Sequence, residues 1–278
     1  MSASKKITTR TLLDMKHKGE NIVALTAYDA PTAALINEAG VDVILVGDSV
    51  ANVKLGYENT LPVTPEEMLH HVKAVTRGNK HSLVVADMPY LSYEIDPKEA
   101  LRIAGRFVKE GGAEAVKVEG GIEVGPVIKE LVRINVPVMG HLGLTPQAVN
   151  RLGGYRVQGR RPQEADKMLT DARILEGAGV FAIVLEAVPE DLAREITKKV
   201  GVPTIGIGAG KGCDGQILVV DDMLGMGAGP TPKFVKRYAE LRTAMVDAVK
   251  SYAEEVRTGE FPGPDHTYSS PAKSSASQ

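Results

Sequence analysis

Eight short apolar runs rich in β-branched residues recur along the chain, at residues 22–26, 41–46, 82–86, 115–118, 136–139, 181–185, 203–207 and 216–220. Each run is nearly continuous in apolar character and does not alternate with polar residues. That is the pattern of a strand buried on both faces, hence of a parallel sheet covered by helices. Amphipathic segments lie between most of them, at 31–39, 65–77, 97–110, 124–134, 163–178 and 191–199. Several open with Pro near the first turn and close on Gly40, Gly78, Gly111 or Gly179, the expected asymmetry of helix starts and stops. Eight such units in 278 residues predict an α/β fold, a closed (β/α)8 TIM barrel. An open doubly wound sheet is the competing architecture. No G-x-G-x-x-G follows the first strand, which counts against it.

The flanks depart from the barrel period. The stretch GAGKGCDG after the seventh run is too short and Gly-rich for a full helix, so that unit is expected to be irregular. Residues 8–18 read as an N-terminal helix over the bottom of the barrel, and 231–256 as one or two C-terminal helices. Residues 1–260 are therefore expected to form a single barrel domain. From Phe261 onward the chain is rich in Pro, Ser and Gly. It offers too little apolar surface to offset the entropy of ordering, so 261–278 is expected to be a disordered tail.

Trp is absent and Phe occurs four times, so the core must be built from Val, Ile, Leu, Ala and Met. A formal net charge of −2 and the absence of a basic stripe argue against a nucleic-acid partner. No apolar run approaches the roughly 20 residues of a membrane span. The opening segment lacks the apolar region of a secretory signal. One cysteine, Cys213, excludes an internal disulfide. Together these features point to the cytoplasm.

Barrel active sites lie where the strands end, at the C-terminal face. Here the second run ends in Gly47, Asp48 and Ser49, and the third in Asp87. The fourth carries Lys117 and Glu119, the fifth leads to His141 and the sixth to Glu186. A carboxylate after a strand often caps the next helix instead, and a lysine can serve as partner to a neighbouring carboxylate. Five consecutive strands that all place ionisable groups on one rim are harder to explain that way. Crowded carboxylates repel unless a cation or a proton compensates. Oxygen ligands select Mg2+, Mn2+ or Ca2+ over zinc, whose usual His and Cys clusters are not evident. Such an ion can hold the carboxylate and keto oxygens of a 2-oxo acid and stabilise the oxyanion formed when a C3 proton leaves. A nearby carboxylate can take that proton, and Lys117 can offset substrate charge.

At these residues the sequence resembles the ketopantoate hydroxymethyltransferase family, over nearly the whole chain from about residue 8 to 256. The resemblance rests on nine segments in order: TAYD (26–29), GDS (47–49), LPVTPEEM (61–68), DMPYLSY (87–93), KVEGG (117–121), GHLGLTPQ (140–147), YRVQGR (155–160), LEAVP (185–189) and GIGAGKGCDGQILVVDDMLG (206–225). It implies attack of the enolate of 3-methyl-2-oxobutanoate on the one-carbon unit of 5,10-methylenetetrahydrofolate, giving 2-dehydropantoate on the way to pantothenate and coenzyme A. It implies Mg2+ held by Asp48 and Asp87 with Glu119 close to the metal, and Glu186 as catalytic base. Asp48, Ser49, Asp87, Lys117 and His141 form the implied substrate-binding set, with His141 either touching substrate or orienting a neighbour. The family fold is a (β/α)8 barrel, often assembled as a homo-decamer. Ala187 departs from the Cys or Ser that relatives often carry there, which puts a pocket contact in doubt and leaves the base untouched.

Two other readings compete. A metal-dependent lyase or mutase of the isocitrate lyase or phosphoenolpyruvate mutase group would usually bring a KKCGH-type loop, which residues 211–213 do not match. A non-catalytic barrel would bind the oxo acid without exchanging its C3 proton. GIGAG resembles a phosphate-cradling turn but lacks the Lys-Ser/Thr ending of a P-loop, and the resemblance makes it pocket wall. Cys213 has no evident base to make it a nucleophile. His70 and His71 read as part of a helix face.

Overall fold

The computed structural model describes residues 5–229 and 231–269. Its elements follow one another as α1 (Thr9–Lys18), β1 (Ile22–Thr26), α2 (Ala30–Glu38), β2 (Val43–Val46), α3 (Val50–Val53), α4 (Pro65–Gly78), β3 (Leu83–Asp87), α5 (Pro97–Lys109), β4 (Ala115–Glu119), α6 (Gly125–Arg133) and β5 (Val138–Gly143). Then come α7 (Val149–Leu152), α8 (Pro162–Ala178), β6 (Ala182–Glu186), α9 (Glu190–Lys199), β7 (Thr204–Ile207), β8 (Gly215–Leu218), α10 (Val220–Met223) and α11 (Leu241–Thr258). The eight strands are all parallel, pair in sequence order and close by pairing of β1 with β8. The (β/α)8 barrel expected from the apolar runs is the fold of this chain.

Strand alternation divides the core in two. Side chains of a strand point alternately to its two faces. Val43, Leu45, Leu83, Val85, Ala115, Met139, Ala182, Val184, Ile205 and Ile217 fill the barrel interior. Their neighbours Ile44, Val46, Val84, Ala86, Val116 and Val118 face outward onto Met68, Val72, Phe107, Leu131 and Leu175 of the surrounding helices. No Trp is needed, because each layer is thin and filled by branched side chains.

Helix α1 closes the bottom, as the sequence suggested. Thr8 and Thr11 form a capping box at its start and Gly19 ends it in a left-handed conformation. Its Leu12 is fully buried and packs with Ile7 into the interior cluster. Lys16 Nζ lies 2.8 Å from Asp214 Oδ2, which also accepts from Thr204 N at 2.8 Å, so α1 is pinned to β7 and the turn before β8.

The expected irregular unit is seen between β7 and β8, where residues 208–214 connect the strands without a helix. Three boundaries differ from expectation. β2 begins at Val43, because Val41 N is bonded to Ile36 O in the turn after α2. β5 is shifted to Val138–Gly143, carrying His141 within the strand rather than after it. β8 gives way to α10 at Val220, whose N–H bonds Thr26 Oγ1 instead of a strand partner. Residues 231–240 were expected to be helical and are not. Pro232 disfavours the helical region for the residue before it, and only α11 forms. In the expected tail, Phe261 packs its ring against Tyr252 and His266; residues 270–278 lie outside the described residues. No helix among the described residues is long and apolar enough to cross a membrane.

Leu12→Ala should lower the free energy of unfolding by about 2–5 kcal/mol, because it opens a cavity under the barrel floor. Activity per folded molecule should be unchanged, since the strand C-termini lie at the other end. Urea denaturation with a parallel activity measurement checks both halves.

Candidate active site

The same alternation that fills the interior lifts charge to the mouth. In β3, Leu83 and Val85 point inward and the next inward position is Asp87. In β4, Ala115 is followed on that face by Lys117 and Glu119. In β5, Met139 is followed by His141, and in β6, Ala182 and Val184 are followed by Glu186. Register then sets neighbours: Asp87 pairs with Lys117 and Glu119 with His141. Asp48 and Ser49 reach the mouth from the turn after β2. None of Asp48, Asp87, Glu119 or Glu186 caps a helix; that task falls to Thr8, Asp29, Thr64 and Asp96. Asp48, Ser49, Asp87, Lys117, Glu119, His141 and Glu186 all line one cavity of about 720 Å³ at the C-terminal face. The structure therefore brings together every residue the sequence singled out for the site.

Lys117 is the hub. Its Nζ lies 2.8 Å from Asp87 Oδ1 and 3.2 Å from Glu119 Oε1, all three side chains being buried. Burial alone would push the ammonium down, but Asp87, Glu119 and Asp48 outweigh it and hold the pKa above the usual lysine range. His141 Nδ1 lies 3.2 Å from the same Glu119 oxygen. Burial and Lys117 would both discharge the imidazole, yet Glu119 and Glu186 bring it up to about 9. Lys117 Nζ and His141 Nδ1 are 3.1 Å apart. Both nitrogens also lie 3.2 Å from Glu119 Oε1, so they converge on one carboxylate oxygen. Glu119, despite its burial, is brought down to about 2 by Lys117 and His141.

The remaining carboxylates are not balanced. Burial, then the charges of Asp87 and Glu119, push Asp48 well above the usual range. Burial also raises Asp87, with Lys117 opposing. Asp87 Oδ2 accepts from the Asp48 N–H at 3.1 Å, while Oδ1 makes no aligned hydrogen bond despite its ion-pair contact. His141 Nε2 is a second buried atom without an aligned partner, facing Glu186 Oε2 at 3.4 Å. One ligand atom each from Asp48, Asp87 and Glu119 lies within 4.8 Å of the others. This is a donor set of hard oxygens around excess negative charge, and it fits a divalent cation of the Mg2+ type.

The cavity has two halves. Charged groups from the ends of β2 through β6 occupy one side; Ile207 of β7 and Ile217 and Leu218 of β8 line the other, and Leu45 and Val184 lie in the interior layer below the charges. Toward solvent it is lined by Tyr155, Arg156 and Val157 and by the segment from Thr231 to Phe234. The GIGAG segment serves as wall and turn: Ile207 lines the cavity, and Gly208, at φ +64, leaves room for the Phe234 ring, which an added Cβ would approach to 2.8 Å. Cys213 packs against Gly206, away from the cavity lining.

Beside Glu186, Ala187 adopts φ +48, a left-handed conformation that costs a residue with a Cβ about 1–2 kcal/mol. Its N–H donates to Ile207 O at 2.8 Å and its carbonyl accepts from Gln158 N at 2.9 Å, which holds the strain in place and aims Glu186 at the cavity.

Three polar contributors were missed by sequence reasoning. Gln147 and Tyr93 bond within the carboxylate cluster, and Tyr28 Oη lies 2.8 Å from Ser49 Oγ. All three fall in segments quoted for the resemblance, but nothing in their spacing signals an inward side chain.

Fold and site together define a (β/α)8-barrel whose mouth gathers buried carboxylates around Lys117. Solved barrels share the scaffold. Phosphonopyruvate hydrolase, in a complex with oxalate and Mg2+, superposes with a TM-score of 0.60 at 14% identity, covering 94% of this chain and 93% of that one. A 2,3-dimethylmalate lyase of the PEP mutase/isocitrate lyase superfamily gives 0.57 at 15% identity, covering 94% and 91%. At such identities the likeness is one of fold alone. The sequence comparisons are more specific. A family model described as ketopantoate hydroxymethyltransferase matches residues 6–264. The 3-methyl-2-oxobutanoate hydroxymethyltransferase of Carboxydothermus hydrogenoformans is 54% identical over 263 residues, 95% of each chain. That of Syntrophus aciditrophicus is 54% identical over 267 residues, 96% of this chain and 98% of its own. The chain belongs to the ketopantoate hydroxymethyltransferase family and is a transferase enzyme.

Lys117→Met should destabilise the metal-free protein by about 3–5 kcal/mol at neutral pH, since it leaves buried carboxylates without their counter-charge. Denaturation in EDTA measures this. Added Mg2+ should recover more stability in the variant than in the wild type, and equal stability in EDTA would remove Lys117 from the role of counter-ion.

Proposed function

We propose that this enzyme transfers a hydroxymethyl group from 5,10-methylenetetrahydrofolate to 3-methyl-2-oxobutanoate. The products are 2-dehydropantoate and tetrahydrofolate, one water is consumed, and the reaction feeds pantothenate and coenzyme A synthesis. The observation that carries this reading is the convergence of Asp48, Asp87, Lys117, Glu119, His141 and Glu186 on one cavity. The apolar wall opposite them matches a branched alkyl group.

In this reading Asp48 and Asp87 bind Mg2+, with Glu119 beside it. When bound, the ion supplies Lewis-acid stabilisation of the oxyanion that develops on the keto oxygen. Lys117 and the Ser49 hydroxyl hold the oxo acid, and Lys117 offsets its charge within a buried setting. Glu186 removes the C3 proton; it points inward from the end of β6, outside the metal-type cluster. His141 Nε2, turned toward Glu186 and free of an aligned partner, keeps a donor at that side of the cavity. The folate methylene bridges two nitrogens: the enolate carbon displaces one and a water oxygen the other, and each nitrogen leaves with its electron pair and takes one proton, one from C3 and one from the water. The wide outer part of the cavity leaves room for this larger reactant.

Assembly as a homo-oligomer, a decamer by analogy with the family, and residence in the cytoplasm belong to the same reading.

Proton exchange at C3 of 3-methyl-2-oxobutanoate in D2O, followed by NMR, tests the chemistry without the folate. Exchange should require Mg2+ and stop in EDTA. Glu186→Gln should abolish it while largely preserving oxo-acid binding; undiminished exchange in that variant would reassign the base. Asp48→Ala should weaken Mg2+ binding itself, measured by calorimetry.

A further inference from the structure

Gln147 sits in the short turn after β5, at residues Pro146–Ala148, and is buried. No role for it follows from the reaction described above. Its bonds nevertheless join two members of the carboxylate cluster, Asp48 and Glu119. The backbone N–H donates to Glu119 Oε2 at 3.1 Å. The side-chain Nε2 donates to Asp48 Oδ2 at 2.9 Å and to Met88 O at 2.9 Å. Its Oε1 accepts from the Tyr93 hydroxyl at 2.6 Å.

These contacts fix the amide orientation. Two pure acceptors, a carboxylate oxygen and a carbonyl, face Nε2, so an amide turned by 180° would set oxygen against oxygen. With the amide so fixed, Tyr93 donates its proton to Oε1 at 2.6 Å, the shorter of its two acceptor contacts, the other being the Glu119 carbonyl at 3.3 Å. The hydroxyl also accepts from the Glu119 N–H at 3.3 Å, which ties the arrangement to the end of β4. Both Nε2 protons are used, and one oxygen of Asp48 and one of Glu119 are each held by the same residue. Asp48 Oδ1 is thereby left toward the cavity, while Glu119 Oε1 stays within 3.2 Å of both Lys117 Nζ and His141 Nδ1.

We infer that Gln147, locked by Tyr93, is a positioning residue that presents Asp48 and Glu119 to the divalent cation. The inference rests on the reading of Asp48, Asp87 and Glu119 as the cation site. It adds a physical reason for the site to exist before the cation arrives. Buried carboxylates that repel one another would otherwise turn apart, and each bond from Gln147 holds one in place. Hydrogen-bond partners of ligating side chains typically change metal affinity by roughly 10–100-fold when lost.

The test is Mg2+ affinity of the full-length, metal-stripped protein, measured by isothermal titration calorimetry with Mg2+ alone. Gln147→Met keeps length and bulk but removes both side-chain donors and the acceptor. Tyr93→Phe removes only the hydroxyl that orients the amide, and carries the test if Gln147→Met does not fold. The Mg2+ dissociation constant should rise by roughly 10–100-fold in Gln147→Met and by a smaller factor in Tyr93→Phe. In both, the Mg2+ concentration needed for half-maximal turnover should rise while kcat at saturating Mg2+ stays within a few fold of wild type. A purely structural role would lower the unfolding midpoint and leave the dissociation constant alone. Mg2+ affinity within twofold of wild type in both variants would overturn the positioning role while leaving the cation site intact. Absence of Mg2+ binding in the wild type would overturn the cation reading and this inference with it.

Discussion

An ammonium surrounded by buried carboxylates is the interaction on which the mouth of this barrel depends. Isolated charges are costly to bury, and the cost is offset only by close partners. Lys117 supplies that partner to Asp87 and Glu119 together. The barrel makes this possible because strand geometry is strict. Lys117 and Glu119 are two residues apart, so both point inward, and parallel register sets Asp87 beside the first and His141 beside the second. The balance is incomplete by design of the residue set. Burial first, and then the charges of Asp87 and Glu119, keep Asp48 pushed up, an imbalance that a further positive charge would relieve.

Much of the fold was legible because a parallel barrel buries both faces of every strand. Continuous apolar runs cannot then be mistaken for amphipathic strands, and eight of them leave few other architectures. The runs failed at their ends, where chemistry replaces hydrophobicity. β5 continues through Gly140, His141 and Gly143, a stretch with no apolar signal beyond Leu142. Residues 231–240 contain enough apolar groups to suggest a helix, but they are irregular, and 231–234 line the cavity with Phe234 covering Gly208.

The site was legible to a different degree. Charged residues at the ends of successive strands announce themselves, because a barrel has no structural use for so many inward charges. Gln147 and Tyr93 did not, since an amide and a phenol after a strand are ordinary loop residues until their hydrogen bonds are seen. Ala187 was noted for its identity, whereas its interest lies in a left-handed backbone that no composition or periodicity reveals. The scaffold itself is shared with barrels of only 14–15% identity. What is particular to this chain therefore lies in the side chains that crown the strands and in the loops that bond them.

The division of the cavity into a charged wall and an apolar wall has a stereochemical consequence. An enolate is flat, and one gripped at its oxygens on the first wall with its alkyl branches against the second cannot roll over. One of its faces must look down the barrel and the other up toward the opening. In the proposed reaction the electrophile arrives only from above, so two methyl groups that are equivalent in solution acquire distinct positions. Isotopic marking of one of them would leave a product of single handedness.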